Sequence, residues 1–98
     1  MPVKTVEFVI VEEIREMHAL MHLKQDDYEV AVQCCDAAGT LCTVLEKSAG
    51  GIKPEVRTQL CQELRGILKE YPMPTARTDW GIWAPHERIE ELIGILSS

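Results

Sequence analysis

The chain has 98 residues, 46% hydrophobic and 27% charged, with a net charge of −6, which is one domain's worth of sequence and excludes a disordered or low-complexity protein. With 10 Lys and Arg against 16 Asp and Glu it offers no clustered bases for phosphate contacts, so direct nucleic-acid binding is excluded. Residues 1–98 read as a single helical domain that works on a protein partner, and its size allows a homodimer.

The first stretch, MPVKTVEFVIVEEIREMHAL, holds a short apolar patch from Val6 to Val11 that Glu12, Glu13 and Arg15 end. It fits neither a secretory leader nor a membrane span, and cytoplasmic residence is the expectation. From about Thr5 to Lys24 apolar residues recur at Val6, Ile10, Ile14, Met17 and Met21, one face of a helix. Thr5 is placed to cap it. The β-branched run in residues 3–11 leaves an initial strand as an alternative, but the helical period continues unbroken to Met21.

The charge is concentrated. Between Glu7 and Asp36 eight acids stand against two bases, Arg15 and Lys24, and the rest of the chain is neutral overall. Glu12, Glu13 and Glu16 would therefore suit a partner with a basic surface; the plainer reading is that these acids are the solvated faces of helices.

His18 and His22 are four residues apart on the same helix, with Met17 and Met21 beside them. That spacing can share one metal ion, and the thioethers would favour copper. Ala19 stands where zinc peptidases carry their catalytic Glu, so a hydrolytic site is not implied. The competing reading puts the methionines in the core and the histidines at its rim.

Asp26 or Asp27 can cap a second helix running to about Ser48, with Glu29 at capping-box spacing. Its seam, Ala31, Cys35, Ala38, Cys42 and Leu45, is made mostly of small residues, so a neighbouring helix could come close, with Gly39 assisting. The cysteines Cys34, Cys35 and Cys42 share this helix and Cys61 lies on the next. Cys34 and Cys35 diverge and Cys35 and Cys42 are about two turns apart, so reduced, buried thiols are expected rather than a disulfide framework.

Ala49-Gly50-Gly51 ends the second helix and Pro54 opens the third; the short join predicts that the two pack antiparallel. The third helix, about Pro54 to Tyr71, carries Val56, Leu60, Cys61, Leu64, Ile67, Leu68 and Tyr71 on one face, and Pro72 and Pro74 stop it. The segment that follows, YPMPTARTDWGIWAP, holds both tryptophans. Trp80, Ile82 and Trp83, rimmed by Arg77 and Asp79, would anchor an interface, or one ring would plug a core short of bulk. A last helix from Pro85 turns Ile89, Leu92, Ile93 and Leu96 inward, and His86 at its start reads as a surface residue.

These elements make an all-α protein, a small four-helix bundle or irregular helical array with a long Pro/Trp-containing connection before the last helix. No phosphate loop or activated nucleophile is present, so no cofactor and no enzymatic activity are expected. The sequence points to a non-enzymatic protein-binding module, such as a stoichiometric inhibitor or antagonist of a basic partner; a metal- or small-ligand-binding protein using His18 and His22 is the alternative.

Overall fold

The computed structural model describes residues 5–24, 27–71 and 84–97. They form four helices, α1 (Val6–Leu23), α2 (Tyr28–Ser48), α3 (Pro54–Glu70) and α4 (Ala84–Ser97), with one 3-10 turn at Ala49–Gly51 and no strand among the described residues. The all-α expectation holds, and the described part of the N-terminal stretch is helical from Val6.

Local chemistry accounts for the boundaries. The Asp27 carboxylate accepts from the Val30 amide at 3.1 Å, which makes it the N-cap of α2. Thr5 occupies the cap position of α1 but its hydroxyl does not serve the backbone; it pairs with the Glu7 carboxylate, holding that group below its usual range. Pro54 takes the first turn of α3, where its missing N–H costs nothing.

The main packing pairs are α1 with α2, α3 with α4, and α2 with α4, with a lesser contact between α1 and α3. Around the bundle the order is therefore α1, α2, α4, α3, and α2 lies diagonally across from α3. The expected side-by-side packing of α2 and α3 gives way because their join is itself part of the interior. Ala49 and Ile52 are buried within the main core cluster, so the connection crosses the end of the bundle instead of turning back. The residue pairs give the directions. His22 meets Tyr71 while Arg15 meets Glu63 and Glu70, so α1 and α3 run the same way. Cys61 reaches the Ile93 carbonyl while His86 bonds the Tyr71 backbone, so α3 and α4 run oppositely.

The main core draws Val11 and Ile14 from α1, Cys42 and Leu45 from α2, Leu60, Leu64 and Ile67 from α3, and Ile89, Leu92 and Leu96 from α4. A second, smaller cluster joins Met21, Ala31 and Cys34. The buried seam of α1 is Val11, Ile14, His18 and Met21. Its 3-4-3 steps are those that keep a helix facing its neighbour in a bundle. The seam expected from apolar residues alone is rotated away from this one: Val6 is 71% exposed, and Ile10 and Met17 are half-buried. On α2 the seam passes through Cys34 rather than Cys35 and otherwise follows the sequence.

Gly39 does not mediate a close approach. A Cβ built there would meet nothing within 4 Å, so the residue carries only the entropic penalty of glycine inside a helix. Gly39→Ala is expected to raise stability by about 0.5–1 kcal/mol, read as an upward shift of the urea midpoint at constant slope.

Candidate functional site

Between the two core clusters lies a layer of imidazoles. His18 is four residues beyond Ile14, in the larger cluster, and three before Met21, in the smaller. Its side chain is fully buried, and its Nδ1 lies 2.9 Å from the Ile14 carbonyl oxygen. A carbonyl only accepts, so Nδ1 carries the proton and Nε2 presents a lone pair. That Nε2 is buried with no hydrogen-bond partner among the described residues.

His86, from the first turn of α4, stacks obliquely on His18 with ring centroids 5.5 Å apart. It is 6% exposed, against the expectation of a surface residue. The signal was in the sequence: His86 precedes Ile89, Leu92 and Leu96 at steps of three and four, the same face that goes inward. His22 is half-buried, and its ring lies 5.3 Å from that of Tyr71 at the end of α3. The expectation of both α1 histidines at the rim therefore holds for His22 and fails for His18, which occupies a seam position that bundle packing turns inward.

Electrostatics in the layer follow from crowding and burial. Burial holds His18 below the usual imidazole range, with His86 and His22 pushing the same way and the bond to the Ile14 carbonyl opposing them. Burial also lowers His86; its bond to the Tyr71 backbone and the nearby Glu90 act against this, and His22 adds to it. Both shifts favour the neutral form of His18 and His86. Among the described residues no group of three or more His, Cys, Asp and Glu side chains stands where it could hold a metal ion.

None of the four cysteines, Cys34, Cys35, Cys42 and Cys61, is in a disulfide. Burial raises Cys35 and Cys42 to about 11 and lifts Cys34 and Cys61 as well. Protonated thiols of this kind are poor nucleophiles and poor metal ligands.

The outer face of α1 is the opposite kind of surface. Glu12, Glu13 and Glu16 are exposed. Val6, Val9, Leu20 and Leu23 are exposed as well, Leu23 by 77%. Val6, Val9, Glu13, Glu16, Leu20 and Leu23 follow one another at steps of three and four and form a single stripe. At its C-terminal end Leu23 and Tyr28, both exposed, line an open depression with Lys24, Asp27 and Glu29. Arg15 points the other way: its two terminal nitrogens each reach a carboxylate of α3 at 2.8 Å, Glu63 and Glu70. Those pairs are largely solvated and contribute little stability, but they withdraw the guanidinium from the acidic face.

Arg77, Trp80, Ile82 and Trp83 lie outside the described residues. Their segment departs after Tyr71 and rejoins at Ala84, so both of its described ends stand at the histidine layer. No described helix is long and apolar enough to cross a membrane. Set against known proteins, the chain matches no family model, no curated protein and no solved structure.

Proposed function

We propose that the protein is a non-enzymatic binding module that captures a basic, amphipathic helix of a partner protein on the outer face of α1. The observation that carries this reading is the exposed stripe with Val6 and Val9 at one end, Leu20 and Leu23 at the other and Glu13 and Glu16 between them. Its steps of three and four match what an incoming helix presents. Charge selects the partner. Glu12, Glu13 and Glu16 face solvent while Arg15 is committed to α3, so lysine and arginine flanking an apolar seam complement the stripe. A module of this kind acts stoichiometrically, by occupying the basic surface its partner would use elsewhere.

The same face argues against pairing with a second copy. Glu13 and Glu16 sit at the middle of α1, so either direction of self-association brings like charges together. The protein is expected to sediment as a monomer at micromolar concentration.

The direct test uses a labelled amphipathic Leu/Lys helical peptide and its Leu/Glu counterpart in fluorescence anisotropy. The Leu/Lys peptide is expected to bind in the micromolar range. Reversal of Glu12, Glu13 and Glu16 to lysine should weaken it at least tenfold, and so should Leu20→Ser with Leu23→Ser. Equal binding of the Leu/Glu peptide, or indifference to charge reversal, would sink the proposal.

A further inference from the structure

Four arginines fall among the described residues, and two of them are used very differently from the others. Arg15 engages Glu63 and Glu70, and Arg88 engages Glu46 and Glu91 while donating to the Thr43 hydroxyl at 2.6 Å. Arg57 and Arg65 make no ion pair among the described residues, in a chain where acids outnumber bases by 16 to 10. Both line one groove of about 260 Å³ between the first turns of α3 and the last turn of α4.

The spacing explains the juxtaposition. Arg57, Cys61 and Arg65 are successive members of an i, i+4, i+8 row, so two guanidinium groups flank one thiol along the groove. Cys61 is buried and its thiol lies 3.7 Å from the Ile93 carbonyl. Leu96 closes the far wall. The floor is therefore apolar and uncharged, and the rims are cationic.

The polar atoms divide by role. Thr58 donates its hydroxyl proton to the Pro54 carbonyl at 3.1 Å and Ser97 donates to that of Ile93 at 2.6 Å, so these hydroxyls have spent their donor capacity on the backbone. What remains to donate into the groove is the two guanidinium forks and the amide of Gln62. The Arg57 Nε is buried and makes no hydrogen bond among the described residues. Leaving a charged group's donor in that state costs more than leaving a neutral one, and a ligand that accepts from it recovers the cost.

We propose that this groove is a binding site for a small oxyanion, a carboxylate or phosphate carried on a short apolar group. Arginine forks match the planar pair of oxygens on such groups, and Cys61 and Leu96 accept the hydrocarbon. The groove is smaller than the usual drug-sized pocket of about 300–1,000 Å³, which limits the ligand to a small molecule or a terminal group. The site lies on α3 and α4, apart from the outer face of α1, and stands or falls independently of the partner-binding reading.

Titration of the full chain with sodium phosphate and with sodium hexanoate, each against sodium chloride at equal ionic strength and followed by ¹H–¹⁵N NMR, tests it. The expected result is a saturable shift of the amides of residues 55–65 and of Ser97, together with the Arg57 Nε–H resonance. Arg65→Gln, at an exposed position, should weaken binding at least fivefold with an unchanged melting temperature. Arg57→Lys, which keeps the charge and loses the fork, should weaken it by a similar factor. A stronger response to phosphate assigns the ligand to the phosphate class and a stronger response to hexanoate to the carboxylates; either outcome supports the site. Shifts no larger than those in chloride, or shifts that survive Arg65→Gln unchanged, would overturn it.

Discussion

Leu64→Ala is expected to destabilise the fold by about 3 kcal/mol, within the range of buried leucine truncations. The side chain is fully buried near the middle of α3, in a cluster to which all four helices contribute. Removing three carbons there leaves a void that several helices would have to close at once. For a domain whose total stability is on the order of 5–15 kcal/mol, that loss is a large fraction. Urea denaturation gives the number directly, as a lowered midpoint at an unchanged slope. Val44→Ala supplies the contrast: Val44 is 43% exposed, and its truncation should change stability by no more than about 0.5 kcal/mol. Comparable effects at the two sites would mean that the core has been misplaced.

Acid should act through the histidine layer. His18 and His86 are both held below their ordinary values by burial, so the folded protein resists protonation where the unfolded chain accepts it. Well above an unfolded pKa of about 6.5 these two histidines are neutral in both states and impose little pH dependence. As the pH falls below that value the unfolded chain takes up protons first and stability declines, by up to about 1.4 kcal/mol per pH unit for each histidine, until the folded protein protonates too. Unfolding measured by urea at pH 7.5, 6.5 and 5.5 should show a smaller change over the first interval than over the second, where the loss is at most about 2 kcal/mol for the two histidines together. His18→Leu removes the buried Nε2 along with the titrating group, and the variant should lose about half of the acid-dependent decline. If the variant retains the full slope between pH 6.5 and 5.5, His18 is not the group responsible.

Helix content was readable from the sequence because caps, prolines and apolar period agreed. The span of α2 to Ser48, the proline start of α3 and the inward residues Ile89, Leu92 and Leu96 of α4 all emerge from those signals. What the sequence hid was the neighbourhood of each helix. Apolar residues on α1 fall on two faces, and classing His18 as polar conceals that Val11, Ile14, His18 and Met21 form the seam with bundle spacing. The diagonal placement of α2 and α3 was likewise hidden, because it depends on Ile52 going into the core, and a single isoleucine in a short connection reads as incidental. Glu12, Glu13 and Glu16 were legible as an acidic surface. Their alignment with exposed Val6, Val9, Leu20 and Leu23 emerged only once the buried face was known. The arginine groove had no counterpart in the sequence, since it requires Leu96 and Ser97 to lie against a row of α3 that begins some forty residues earlier.

Because the connection from α2 to α3 crosses the bundle end, the two most extensive packing pairs are each made by helices consecutive in the chain, α1 with α2 and α3 with α4. The molecule is thus two local hairpins docked on one another, a topology whose contacts are short in sequence and quick to form. His18 belongs to the first hairpin and His86 to the second. Their shared layer is part of the docking surface, so protonation works against the union of the halves before it works against either half. Mild acid is then expected to weaken the contact between the two hairpins, which the shared core still holds together.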